Sequence, residues 1–196
     1  HGTREEIEGG SITNVMKDSI PSTCFPSLVV YGSSWDRNLA YECAKAIGQE
    51  AATQGVCTVL GPGTNIKRSP LCGRNFEYFS EDPLLTGEIA AAVVKGIQSR
   101  GASACPKHFA CNNQEVNRTK NDSRVSQRAL REIYLKGFEI CVKESKPLNI
   151  MTSYNKINGV WSHYNYDLVT TVLRKEWGYT GCVMTDWWMR KSKSPE

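Results

Sequence analysis

The sequence has few histidines, no segregated charge and no long apolar run. Its three histidines (positions 1, 108 and 163) form no H-x-x-x-H pair, so no histidine-based metal site is predicted. No apolar run approaches the ~18 residues that a membrane span requires. The 24 Lys and Arg and the 20 Asp and Glu are scattered along the chain, whereas nucleic-acid-binding proteins concentrate positive charge on one face. We therefore expect neither nucleic acid nor a membrane as a partner.

The eight cysteines include no C-x-x-C pair, which argues against zinc ribbons and thioredoxin-type redox sites. Their even number permits disulfides, but nothing in the sequence demonstrates an oxidising compartment. The chain begins at His1, without Met and without an apolar signal segment. We interpret it as a fragment of a longer protein. Its compartment stays open, with the cytoplasm slightly favoured.

Short β-rich runs alternate with longer helical patterns. The strand-like runs are Leu28–Tyr31, Val56–Leu60, Ala102–His108, Leu148–Thr152 and Cys182–Thr185. The helical patterns cover about 36–54, 84–99, 126–141 and 167–176. On the third of these helices, the residues expected on the inner side are Leu130, Ile133, Tyr134, Phe138 and Cys141. This alternation predicts right-handed βαβ crossovers and a buried parallel sheet.

Two closures of such a sheet are usual, an open doubly wound sheet and a (β/α)8 barrel. A nucleotide-binding sheet should carry G-x-G-x-x-G or G-x-x-x-x-G-K-[ST] after an early strand, and neither pattern continues from Gly61-Pro62-Gly63. About five strands are too few for a closed barrel of eight. We therefore predict an α/β fold, an incomplete TIM-like barrel of about five parallel strands alternating with helices.

Polar side chains follow the carboxyl ends of the predicted strands, where barrels place their active sites. They are Asn65, Arg68, Arg74, Glu77, Lys107, His108, Asn112, Asn113, Gln114, Glu115, Asn117, Arg118, Ser153, Tyr154, Asn155, Asp186 and Trp187. Amides, cations, a carboxylate and aromatic rings together suit a sugar pocket. Taken singly, each has a simpler explanation: Asp186 could cap a helix, His108 could be structural, and Arg74 could pair only with Glu77.

The stretch from Leu60 to Pro83 resembles the signature loop of glycoside hydrolase family 3. Three further motifs of that family follow in order, Lys107-His108-Phe109 with Asn113-Gln114-Glu115, Met151 to Gly159, and Val183-Met184-Thr185-Asp186-Trp187. The resemblance covers roughly residues 1–188, which would form part of the N-terminal barrel domain. Residues 189–196 form a polar tail outside the family pattern.

The resemblance implies a retaining β-glycosidase that needs no cofactor or metal and acts on a β-linked oligosaccharide or glucoside. Asp186 stands at the position of the catalytic nucleophile. Arg74, Lys107, His108 and Tyr154 match positions that hold the sugar or orient the nucleophile, and Trp187 would add an apolar wall. The Asn113 segment is more similar to the β-glucosidase branch than to the β-xylosidase branch, and it lacks the K-H-F-P-G pattern of the β-N-acetylglucosaminidases.

Two family elements fall outside this sequence. An Asp-Gly-Pro segment would precede His1, and the general acid/base of the glucosidase branch is a Glu of a C-terminal sandwich-like domain. We therefore expect little turnover by the chain alone, unless Glu77 or Glu115 substitutes. We also expect a low pKa for Asp186 beside Arg74 and Lys107, and self-association through exposed barrel edges. The alternatives are a non-catalytic carbohydrate-binding protein and an inactive remnant.

Overall fold

The computed structural model describes residues 21–187, so Trp188 and the predicted polar tail 189–196 lie outside the described residues. The helices are α1 (Leu28–Ser34), α2 (Arg37–Thr53), α3 (Pro83–Gln98), α4 (Gln127–Ala129) and α5 (Lys136–Ser145), with π-helical segments at Leu130–Tyr134 and Asp167–Glu176. The strands are β1 (Thr58–Val59), β2 (Ser103–Ala104), β3 (Asp122–Ser123), β4 (Asn149–Thr152), β5 (Lys156–Ile157), β6 (Val160–Trp161) and β7 (Cys182–Thr185). Short 3₁₀ turns lie at Asn75–Glu77 and Ser162–Tyr164.

Two parallel strand pairs form the centre of this partial α/β arrangement: β1 pairs with β2, and β4 pairs with β7. Backbone hydrogen bonds connect the pairs beyond the end of β2. Met151 N–H donates to Pro106 O at 3.1 Å, and Phe109 N–H donates to Met151 O at 2.7 Å. The carboxyl ends of these strands therefore lie along one edge of the arrangement. A separate three-stranded unit has the order β3-β5-β6.

Residues 28–31 form the start of helix α1 rather than the predicted strand. The β-branched composition of Leu28–Tyr31 favours a strand, but Leu28, Tyr31 and Gly32 are buried, which is the i, i+3, i+4 spacing of a helix face. Gly32 fixes that packing, because a Cβ there would lie 2.3 Å from the carbonyl oxygen of Phe79. Close packing on the Phe79 backbone thus outweighs local strand propensity.

The ends of α2 and α3 follow the sequence signals. Asp36 caps α2 by accepting hydrogen bonds from the N–H groups of Asn38 (2.8 Å) and Leu39 (3.0 Å). Gly55 follows the helix with φ +73°, the left-handed conformation that favours glycine after a helix. Asp82 caps α3 through Leu85 N–H at 2.8 Å. Helix α3 packs between α2 and α5, and their apolar faces form one of two cores.

The helix capped by Ser126 contains a π-helical turn at Leu130–Tyr134, which holds about one residue more than a turn of α-helix. Leu135 N–H donates to Leu130 O at 2.9 Å, an i to i+5 bond within a π-helical turn. The extra residue shifts the following positions, so that Leu135 is buried while Ile133 is exposed. The expectation that Ile133 lies on the inner side was therefore wrong. Phe138 and Cys141, beyond the turn, are buried as predicted.

All eight cysteines are free, and all lie within the described residues. Across residues 21–187, no helix combines the length and the apolar character that crossing a membrane requires. The same residues contain no group of three His, Cys, Asp or Glu side chains placed to hold a metal ion.

Candidate active site

Asp186 directly follows strand β7 and is the central carboxylate of the site. Its residue is 7% exposed, and its Oδ1 accepts a hydrogen bond from Trp187 N–H at 2.8 Å. Because β7 runs parallel to β4, Asp186 emerges at the same edge as the segment that follows β4, which contains Tyr154. The register of these two strands thus brings together residues that are 32 positions apart in sequence.

His108 faces this carboxylate from the segment that follows strand β2. Its Nε2 lies 3.7 Å from Asp186 Oδ2. The Asn65 side chain binds both backbone groups of His108. Its Oδ1 accepts from His108 N–H at 2.9 Å, and its Nδ2 donates to His108 O at 3.0 Å. Burial holds the pKa of the imidazole well below its usual value, and the nearby cations Arg74, Lys107 and Arg118 lower it further. His108 is therefore a neutral group at physiological pH.

Arg74 and Lys107 share one buried carboxylate. Lys107 Nζ lies 3.3 Å from Glu77 Oε2, and Arg74 Nε pairs with Glu77 Oε1. Arg74 does pair with Glu77, as the simpler explanation in the sequence analysis predicts. This pairing is not the whole role of Arg74, because the charges of Arg74 and Lys107 also lower the pKa of Asp186. Glu77 therefore orients two cations beside the central carboxylate.

Tyr154 and Trp187 close the other side of Asp186. The Tyr154 hydroxyl donates to the backbone oxygen of Trp187. Burial, together with the negative charge of Asp186, raises the pKa of that hydroxyl, so it stays protonated. The Trp187 side chain is 53% exposed and lies at the edge of the site, where an apolar wall was predicted.

Arg118 is a third cation at the site, which sequence reasoning placed on the rim without assigning it to the site. Its guanidinium carbon lies 4.8 Å from the centre of the Tyr154 ring, and its Nη1 donates to Glu115 Oε2 at 3.0 Å. Its positive charge lowers the pKa of both His108 and Asp186. The sequence shows only that Arg118 lies in a polar loop after a predicted strand. The path of such a loop is not set by strand pairing, so its position relative to Asp186 could not be predicted.

The pKa of Asp186 is raised, and the expectation of a low pKa was wrong. The main cause is burial, which disfavours the charged form. The Trp187 N–H and the cations Arg74, Arg118 and Lys107 oppose that effect, in this order, but do not overcome it. The cations can be identified from the sequence. How deeply the Asp186 carboxylate is buried depends on packing, which the sequence does not show.

A groove of about 450 Å³ lies elsewhere, between the end of α1 and the start of α3. It is lined by residues including Trp35, Arg37 and Leu84, and it shares no lining residue with the cluster around Asp186. Its one cation, Arg37, is paired with Glu88. This groove is therefore distinct from the cluster around Asp186.

Comparison with known proteins identifies the family. The model of the glycosyl hydrolase family 3 N-terminal domain matches residues 3–195. The chain belongs to glycosyl hydrolase family 3. The match includes Arg74, Lys107, His108, Tyr154, Asp186 and Trp187, which the fold brings to one cluster.

Relatives within family 3 share about half of the residues. A thermostable beta-glucosidase B of Acetivibrio thermocellus is 50% identical over 187 residues, which are 95% of this chain and 25% of that protein. An exo-alpha-(1->6)-L-arabinopyranosidase of Bifidobacterium longum is 49% identical over the same shares of both chains. The structure of beta-glucosidase 3B from Thermotoga neapolitana in complex with glucose matches with a TM-score of 0.86 and 51% identity, covering 93% of this chain and 25% of that one. The chain thus spans about a quarter of the length of these family 3 relatives.

Proposed function

We propose that this chain supplies the nucleophile and much of the sugar-binding site of a retaining β-glycosidase, acting on terminal β-D-glucosyl or related β-glycosyl residues. The observation that carries the proposal is the buried Asp186, which has His108 at 3.7 Å and lies within the field of three cations. Membership of family 3 and the names of the relatives support the substrate class. We further propose that the chain forms part of a TIM-like barrel.

In the proposed reaction, an Asp186 oxygen attacks the anomeric carbon while the bond from that carbon to the leaving oxygen breaks. The leaving oxygen takes a proton from a general acid. Water then attacks the same carbon, gives its proton to the conjugate base, and releases the sugar and the free carboxylate with retained configuration. Arg74, Lys107 and Arg118 favour the ionised form of Asp186 that the first step requires.

The general acid of a retaining enzyme must carry a proton about 5–5.5 Å from the nucleophile. Glu77 is held by Arg74 and Lys107, and Glu115 is held by Arg118 and by the amide of Asn112. Both carboxylates are already engaged by cations, so we assign the role of proton donor to neither of them. We propose that the acid/base belongs to another part of the full-length protein and that this chain alone turns over little substrate.

A mechanism-based 2-fluoroglucoside with a good leaving group tests the nucleophile directly, since such a leaving group departs without a general acid. We expect peptide mass spectrometry to find the fluoroglucosyl group on Asp186, and no label in Asp186→Asn. Label on another residue would refute the assignment of the nucleophile. Glucose binding without any label would instead favour the alternative, a non-catalytic carbohydrate-binding protein.

A further inference from the structure

Behind His108 lies a buried row of hydrogen-bonded side chains. The Tyr78 hydroxyl lies 3.2 Å from His108 Nδ1, and Asn112 Nδ2 lies 3.1 Å from the same hydroxyl. Asn112 Nδ2 also donates to Glu115 Oε1 at 3.0 Å. Tyr78, His108 and Asn112 are exposed by 0%, 2% and 3%, so the row is shielded from water. Shielded donors and acceptors need specific partners.

The far end of this row fixes the direction of its hydrogen bonds. The Glu115 carboxylate accepts from Arg118 Nη1 at 3.0 Å, and a carboxylate offers only acceptor oxygens to its other partner, Asn112. The amide of Asn112 must therefore present its nitrogen, not its oxygen, to Glu115. The second N–H of the same nitrogen then points to the Tyr78 oxygen. Because that oxygen accepts from Asn112, the Tyr78 proton is directed to its other partner, His108 Nδ1.

The contact between His108 and Asp186, at the other end of the row, requires the same hydrogen-bond directions. A neutral imidazole has one donor nitrogen and one acceptor nitrogen. If Nδ1 accepts the proton of Tyr78, Nε2 carries a hydrogen and points it to Asp186 Oδ2, 3.7 Å away. The opposite tautomer would place a nitrogen lone pair against a carboxylate oxygen. It would also make both partners of the buried Tyr78 hydroxyl donors, so that neither would accept the Tyr78 proton.

We propose that Tyr78 is a positioning residue that, together with Asn112, fixes His108 in the Nε2–H tautomer. His108 then presents a hydrogen-bond donor, not a lone pair, to Asp186 and to a sugar hydroxyl beside it. The role toward a sugar rests on the proposed function, whereas the tautomer depends on the folded chain alone. The two can therefore fail separately.

Long-range ¹H–¹⁵N correlation spectra of the ¹⁵N-labelled chain measure the tautomer, and His108→Gln identifies the His108 signals among the three histidines. In the wild-type chain we expect a pyridine-type Nδ1 and a pyrrole-type Nε2. Tyr78→Phe should remove the donor to Nδ1, so both shifts should move toward the average of two exchanging tautomers. Tyr31→Phe is the matched control, since it removes a buried hydroxyl that interacts with Cys43 and not with His108.

Asn112→Asp is a second, directional test. It replaces the donor to Tyr78 with an oxygen of a carboxyl group that lies beside Glu115, and two carboxyl groups this close share one proton. With that proton directed to Glu115, the new oxygen accepts the Tyr78 proton, so His108 should switch to the Nδ1–H form. A pyrrole-type Nδ1 in the wild-type chain would overturn the proposal, even if Tyr78→Phe did not fold. Unchanged His108 shifts in a folded Tyr78→Phe or Asn112→Asp chain would also overturn it.

Labelling by the 2-fluoroglucoside separates this proposal from the proposed function. Tyr78→Phe should slow the labelling of Asp186 about three- to tenfold, the factor that corresponds to one net hydrogen bond. Tyr31→Phe should leave the rate unchanged. An Nε2–H tautomer without any labelling of the wild-type chain would refute the nucleophile and leave the tautomer standing. Labelling at an unchanged rate in Tyr78→Phe would refute the positioning role.

Discussion

The carboxylate of Glu77 lies 3.3 Å from the ammonium nitrogen of Lys107, and both side chains are buried. The same carboxylate pairs with Arg74. Removing one member of a buried ionic group leaves the remaining charges without compensation. Glu77 therefore stabilises the fold and also keeps two cations near Asp186.

We expect Glu77→Gln to lower the free energy of unfolding by about 3–5 kcal/mol, because Arg74 and Lys107 lose their shared counter-charge while the shape of the side chain is kept. Urea unfolding followed by tryptophan fluorescence measures the change. Glu132→Gln is the control, since Glu132 pairs with Arg128 where the side chains are 60% and 84% exposed. That variant should lose no more than about 1 kcal/mol. Equal losses in both variants would contradict the role of Glu77.

The raised pKa of Asp186 predicts a pH-dependent stability. The folded chain binds the Asp186 proton more tightly than the unfolded chain, so the contribution of this group is fully present below the ordinary pKa of 3.8 and is lost as pH rises through the folded pKa. Asp186→Asn removes the buried charge. Its melting temperature should exceed that of the wild-type chain at pH 7, and the difference should shrink toward pH 3.5.

Asp167→Asn is the control for this pH series, because Asp167 is exposed at the start of a π-helical segment. It should show no comparable gain at neutral pH. An Asp186→Asn chain that is less stable than the wild-type chain at pH 7 would show that the surrounding cations outweigh burial. The pKa of Asp186 would then be low, as the sequence alone suggests.

Four of the five predicted strands contain a strand of the structure, although the second and third are shorter than predicted, at Thr58–Val59 and Ser103–Ala104. Residues 182–185 form a strand as expected, and His108, which stands at the end of another predicted strand, lies 3.7 Å from Asp186. The alternation of strands and helices constrains the order of these elements and the edge to which their carboxyl ends point. The polar loops between them are less constrained, which is why the stacking of Arg118 on Tyr154 was not foreseen.

Three expectations from the sequence were wrong, and two of them failed because of tertiary contacts. At Leu28 the packing of Gly32 on the Phe79 backbone selects a helix, although the local composition favours a strand. At Ile133 a π-helical turn adds one residue, which no hydrophobic periodicity reveals. At Asp186 the depth of burial decides the direction of the pKa shift. The helix at Leu28 and the burial of Asp186 thus depend on residues outside the local segment, which is why local patterns miss them.

The contact between Gly32 and Phe79 gives a direct test of the α1 packing. Gly32→Ala should lower the free energy of unfolding by about 1–3 kcal/mol, because the new methyl group meets a backbone carbonyl that cannot move aside easily. Chemical denaturation measures the loss. Gly73→Ala is the control, since its nearest atom would lie 3.8 Å away, in ordinary contact. Similar stabilities of the two variants would mean that α1 does not pack on Phe79 in solution.

Strand β7 predicts self-association. Within residues 21–187, β7 pairs on one side, with β4, and Cys182 and Thr185 are exposed. A strand with unpaired backbone groups is a template for another chain, and a lysine on such an edge blocks pairing. We expect sedimentation velocity to show concentration-dependent association of the wild-type chain, reduced in Thr185→Lys. Thr53→Lys, which adds the same charge at the exposed end of α2, should associate like the wild-type chain. A monomer at all concentrations, or equal association in both variants, would exclude the β7 edge as the contact.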